Sequence, residues 1–150
     1  MATFYYYRKK NANKTSGLTI ILLSFMLGIL LMFTGCSHTT SVTVDDEQIR
    51  ISGIIYGERI PIKQLNQVFL ANTLPDITLR TNGLGVGPIR HGYFRSRSLG
   101  RNVKLFLHSR DAPFLYLIYG DNDKHVIVNF RDRARTLEVY EQLKELVKNE

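Results

Sequence analysis

The sequence predicts a mainly β domain of about seven strands closed by one C-terminal helix, with an apolar helix ahead of it. Three observations carry that expectation. From residue 42 onward, short runs rich in Val, Ile, Tyr and Phe are separated by Gly, Asn and Asp signals, without the strand–helix alternation of a parallel α/β fold. Beyond residue 132 the apolar side chains fall at helical spacing instead. Residues 18–35 contain no charged side chain at all.

That N-terminal run, LTIILLSFMLGILLMFTG, would rise about 27 Å as a helix, close to the ~30 Å hydrocarbon core of a bilayer. Arg8, Lys9, Lys10 and Lys14 precede it in a basic segment, residues 1–17, and their charge favours a cytoplasmic N-terminus. The expectation is a single-pass signal-anchor in a bacterial cell membrane, with a tether at residues 36–41 and an extracytoplasmic domain at residues 42–148. The alternative is a lipid-anchored protein cleaved before Cys36, because Thr34-Gly35-Cys36-Ser37 resembles a lipoprotein signal in which the thiol receives lipid. Phe33 departs from that pattern, and the apolar run exceeds the ~7–15 residues of an ordinary signal peptide.

Charge and cysteine content exclude several classes. Four of the seven net positive charges lie ahead of Cys36, so the remainder carries +3, from 16 basic and 13 acidic side chains. The high isoelectric point therefore does not argue for nucleic-acid binding, and nucleic acid is not an expected partner. Cys36 is the sole cysteine, which rules out an intramolecular disulfide and any CxxC motif.

Within the domain, residues 42–44, 48–52 and 54–56 read as strands, with a turn at Asp45-Asp46-Glu47 and a bend or bulge at Gly53. Pro61 argues against a central strand there, and Lys63-Gln64-Leu65-Asn66 suits one helical turn before a strand at residues 67–70. Residues 77–80 read as a strand and residues 82–88 as a glycine-rich connection; the Gly/Arg/aromatic segment 89–97 follows, then a strand at residues 103–107. Residues 114–119 and 125–130, joined by Gly120-Asp121-Asn122-Asp123, predict a hairpin. Asp132 or Asn129 would cap the last helix, whose stripe is Leu137, Tyr140, Leu143 and Val147, widened by Leu146.

The order of these short patterns resembles the bacterial pleckstrin-homology-like domains found behind membrane helices. The resemblance runs through Ile49-Arg50-Ile51-Ser52-Gly53, Tyr56-Gly57-Glu58-Arg59-Ile60-Pro61, Leu74-Pro75-Asp76-Ile77 and Arg80-Thr81-Asn82-Gly83. It continues through Gly92-Tyr93-Phe94-Arg95, Val103-Lys104-Leu105-Phe106-Leu107, Pro113-Phe114-Leu115 and Val126-Ile127-Val128-Asn129. It implies a seven-stranded barrel or sandwich of two sheets capped by the last helix, and no shared catalytic site. Phosphoinositide chemistry does not travel with it, since one fold hosts unrelated sites.

The clearest electrostatic feature is the acid-free stretch 77–110, which carries Arg80, Arg90, His91, Arg95, Arg97, Arg101 and Lys104. Guanidinium groups grip phosphate or carboxylate bidentately, so Arg80, Arg90, Arg95, Arg97, Arg101 and Lys104 are the candidate anion or partner contacts. The plain alternative is a solvated basic face paired with Asp76, Asp111 or helix glutamates. The glycine-rich segment lacks both the GxxxxGK[ST] and the GxGxxG spacing, and Tyr56, Tyr93 and Phe94 read as packing residues. His38, His108 and His125 have no metal-ligand spacing, and no serine sits in a nucleophile motif, so no cofactor, metal or catalytic residue is expected. The function expected is a non-catalytic, membrane-tethered binding or adaptor module. Its partners would be membrane lipids through the N-terminal segment, and an anionic headgroup or acidic envelope protein at the basic face. A structural, homo-oligomeric component of an envelope complex is the alternative.

Overall fold

The computed structural model describes residues 19–28 and 40–148. The chain divides into two compact units, Met1–Ser37 and His38–Glu150. In the first, the described element is helix α1, residues 19–28.

The expected membrane span is corrected here. No helix among the described residues is long and apolar enough to cross a membrane. The single-pass topology with a cytoplasmic N-terminus, and the signal-anchor and membrane location built on it, are accordingly withdrawn. The basic segment 1–17 and the lipidation candidate Cys36 lie outside the described residues, and the lipid-anchored location is carried no further.

The second unit is mainly β. Its strands are β1 (Ser41–Val44), β2 (Gln48–Ser52), β3 (Gly57–Pro61), β4 (Leu65–Ala71), β5 (Ile77–Val86), β6 (Ile89–Ser96), β7 (Arg101–Leu107), β8 (Phe114–Tyr119) and β9 (Lys124–Val128), followed by helix α2 (Arg133–Lys148). A 3-10 turn at Ile62–Gln64 stands where the sequence suggested one helical turn. The strands form a three-stranded sheet, β1-β2-β3, and a six-stranded sheet, β4-β8-β9-β7-β6-β5. All neighbours are antiparallel except β7 and β9, which run parallel.

Residue alternation explains the layers. Ile49, Ile51 and Ile60 point inward from the small sheet and pack with Phe106, Leu115, Leu117, Val126 and Val128, while Val139 and Leu143 of α2 close the same core. The intervening Val103, Leu105, Leu107, Phe114, Tyr116 and Ile127 face the other side and form a second cluster with Phe94. The three central strands are therefore apolar on both faces, which is why β7, β8 and β9 are the most strongly β-like runs in the sequence.

Nine strands stand where about seven were expected, and three local differences have physical causes. Residues 54–56 form a turn, because the Gly53 N–H donates to the Tyr56 carbonyl at 2.8 Å, and the strand begins only at Gly57. Most of the glycine-rich segment belongs to β5, which runs on to Val86 and returns directly as β6. Gly83 and Gly92 face each other in that hairpin; a Cβ on either would lie 2.4 Å from a backbone oxygen of the other strand, so the strands close only because both positions lack one. In α2, Asp132 caps the first turn by accepting the Ala134 N–H at 2.9 Å. Asn129 instead bridges the backbone of residues 108–111. The buried face of α2 is Thr136, Val139 and Leu143, with Leu137 and Val147 exposed.

Candidate functional site

The six basic candidates divide between two faces of the large sheet. Register places Tyr93 opposite Lys104 and Arg95 opposite Asn102 across β6 and β7, so these four share the face that bears Phe106. Arg101 belongs to the opposite face and donates to the carbonyls of Asn122 (2.5 Å) and Asp123 (2.9 Å), pinning the β8–β9 turn. Arg80 and Arg90 stand opposite Phe94 and Leu107, also away from Lys104. Arg97 reaches Asp76 at 3.9 Å with both side chains well exposed, a pair of little energetic weight. The basic stretch is thus dispersed, and of the candidates on these strands Arg95 and Lys104 share one face.

Lys104 is nevertheless the centre of a constructed site. Its Nζ donates to the Gly57 carbonyl at 2.6 Å and to Glu58 Oε2 at 2.5 Å, and lies 4.7 Å from the centroid of the Tyr93 ring. The Tyr119 hydroxyl donates to the other carboxylate oxygen, Oε1, at 2.6 Å. Burial alone would lower the Lys104 pKa, but hydrogen bonds to Glu58 and Tyr93 outweigh it and leave the ammonium raised. Burial, then the bond to Glu58, raises the Tyr119 phenol strongly. Tyr56 packs edge-on against Tyr93, with ring centroids 6.4 Å apart, and donates its hydroxyl to Asn82 Oδ1 at 2.7 Å.

Glu58, Tyr93, Lys104 and Tyr119 line a cavity of about 290 Å³ whose walls also include Asn102, Lys124, His125 and Val126. Lys124 lies 5.7 Å from the centroid of the Tyr119 ring. The pairings Arg95–Asn102, Val103–His125 and Tyr119–Lys124 make Arg95, Asn102, Lys124 and Tyr119 one polar row across four strands. Both oxygens of Glu58 and the ammonium of Lys104 are engaged in hydrogen bonds. The exposed polar groups of the row are Arg95, Asn102 and Lys124.

Sequence reasoning missed Glu58, Tyr119, Asn102 and Lys124. A signal was present for one of them: Glu58 alternates with inward Ile60, just as the candidate Lys104 alternates with inward Phe106. A charge at an inward position in each of two strands marks an ion pair across a core. Tyr93 is half-exposed beside the cavity, whereas Phe94 has the packing role expected of it.

Elsewhere, Arg50 and Arg59 face each other on the outside of the small sheet beside a groove of about 460 Å³, with Asp45 bound to Arg50 at 3.2 Å. Among the described residues, no group of three His, Cys, Asp or Glu side chains is placed to hold a metal. No family model, no curated protein and no solved structure matches the chain.

Proposed function

We propose that the β domain is a non-catalytic binding module that recognises a carboxylate-bearing, acidic partner at the mouth of the Lys104 cavity. The observation that carries this reading is the exposed row Arg95–Asn102–Lys124 beside a concave, aromatic-walled pocket whose only acid is already neutralised. Glu58 is paired with Lys104, while among the described residues neither Arg95 nor Lys124 makes an ion pair, and the two flank the Asn102 amide. Guanidinium and ammonium flanking Asn102 suit a carboxylate, and the Tyr93 and Tyr119 rings supply apolar walls for the chain that bears it.

The hydrogen bonds that tie Glu58 and Lys104 to each other, to the Tyr119 hydroxyl and to the Gly57 carbonyl support a binding role, with the pair shaping the cavity wall. Kinship with the bacterial pleckstrin-homology-like domains is part of the proposal at the level of two sheets and a C-terminal helix. The parallel β7–β9 pair and the two additional strands lie outside that seven-stranded plan.

Titration of the ¹⁵N-labelled chain with a hexaglutamate peptide tests the reading. Shifts are expected at Asn102, Lys124 and Arg95, weakened at 0.5 M salt and lost in Arg95→Glu/Lys124→Glu; unchanged spectra would refute it. A second reading, a homo-oligomerising component, is favoured by the exposed Leu79 and Val86 on edge strand β5. Sedimentation of the full chain separates the two: a monomer across the micromolar range removes self-association.

A further inference from the structure

Two histidines that the Lys104 site does not use meet inside the domain. His91, on β6, is fully buried at 0 % exposure, and its Nε2 lies 3.1 Å from Nε2 of His108, just past the end of β7. Each ring also faces a peptide N–H from a different part of the chain. The Ile54 N–H donates to His91 Nδ1 at 3.3 Å, and the Thr40 N–H donates to His108 Nε2 at 3.0 Å. The Thr40 hydroxyl stands 2.7 Å from His108 Nε2 and 3.4 Å from His91 Nε2.

The peptide donors fix the protons. His91 must present a lone pair at Nδ1 to Ile54, so its hydrogen sits on Nε2 and points at His108 and Thr40. His108 must present a lone pair at Nε2 to Thr40, so its hydrogen sits on Nδ1. Both rings are neutral in this arrangement. It also argues against a metal between the rings, since His91 Nε2 carries a hydrogen where a ligand would need a lone pair.

We propose that His91 and His108 form an acid-sensitive latch: neutral, they hold the β2–β3 turn at Ile54 and the start of the domain at Thr40; protonated, they release both. A protonated imidazole is a donor at both nitrogens. Protonation of His91 at Nδ1 therefore sets N–H against the Ile54 N–H, and protonation of His108 at Nε2 sets N–H against the Thr40 N–H and, at the contact between the rings, donor against donor. Among the described residues, the elements packed on the pair bring no carboxylate to compensate the charge. The Gly53–Tyr56 turn and Thr40 bring no charged side chain, β7 brings the Phe106 ring at 5.9 Å, and Asn129 holds the backbone of His108. No carboxylate contributes to the shift of either ring, whereas burial and the neighbouring imidazole push His91 down to about 4 and burial lowers His108. The space is fixed as well: a Cβ on Gly53 would lie 2.9 Å from both His91 Nδ1 and the Phe106 ring, so the turn seats directly on the latch. That turn runs straight into Gly57 and Glu58, the residues that hold Lys104.

Hydrogen exchange of the full chain at pH 7.5 and pH 5.0, corrected for intrinsic rates, tests the latch. Protection at residues 40–42 and 53–56 is expected to fall ~10-fold or more at the lower pH, while residues 114–128 keep theirs. In His91→Gln/His108→Gln the pH response should vanish. Unchanged protection in the natural chain, or the same loss in the double variant, overturns the proposal. Ring titration by NMR of the natural chain decides the matter even if that variant does not fold. Midpoints well below 6.5 that move together with the Ile54 and Thr40 amides support the latch, and ordinary midpoints overturn it. Neither outcome depends on what the Lys104 cavity binds.

Discussion

At the scale of single residues, the polar groups inside this domain carry the most exacting chemistry. Glu58 and Lys104 are nearly buried, and each is the other's charge partner. Truncating one leaves the other desolvated and unpaired, so Glu58→Ala is expected to cost about 3–5 kcal/mol in urea unfolding. Joint replacement by Leu and Met should cost much less, because no buried charge then remains. His91 gives a prediction with a definite sign. Its pKa falls from 6.5 to about 4 on folding, so above pH 6.5 both states are neutral and stability is complete. Between pH 6.5 and 4 only the unfolded chain takes the proton, and the domain loses about 3 kcal/mol across that window, with no further loss from His91 below it. Denaturant midpoints that do not fall between pH 7 and 4.5 would contradict this. The sequence exposed Lys104 as a basic residue in a β run, but not its partner. Glu58 is 46 positions away, and only strand pairing brings the two together.

At the scale of elements, most strands and the last helix were legible because alternation and helical spacing are local patterns. The β8–β9 hairpin and α2 stand where they were expected. The stripe of α2 was not fully legible: helical spacing admits Leu137 and Val147, but the helix rolls toward Val139 and Leu143 against β4 and β8. Leu143→Ala is therefore expected to cost about 2–5 kcal/mol, and Leu137→Ala, at 38 % exposure, within about 0.5 kcal/mol; thermal or urea unfolding reads both. The glycine-rich segment misled for a different reason. Glycine signals a turn or a close approach equally well, and here Gly83 and Gly92 serve close approach within a ladder. Gly83→Ala should pry that hairpin apart and cost more than about 1 kcal/mol, seen as lost amide protection in β5 with β8 retained.

At the scale of the whole molecule, the two-sheet layering follows from the apolar parity of the strands, whereas the sheet order does not. The sequence contains no local sign that β9 lies parallel to β7 or that β4 pairs with β8. Nor does a charge run along the chain reveal which arginines share a face: residues 77–110 scatter Arg80, Arg90 and Arg101 away from Lys104, while distant Lys124 joins it. The central claim is that the face bearing Lys104 is built to hold an acidic partner. Its most direct measurement is calorimetric titration of the full chain with hexaglutamate at 50 mM salt. The account predicts saturable binding that Arg95→Glu/Lys124→Glu abolishes and that Arg97→Glu, on the exposed Asp76 pair, leaves within about twofold. Equal binding by all three proteins, or none by the natural chain, would contradict it.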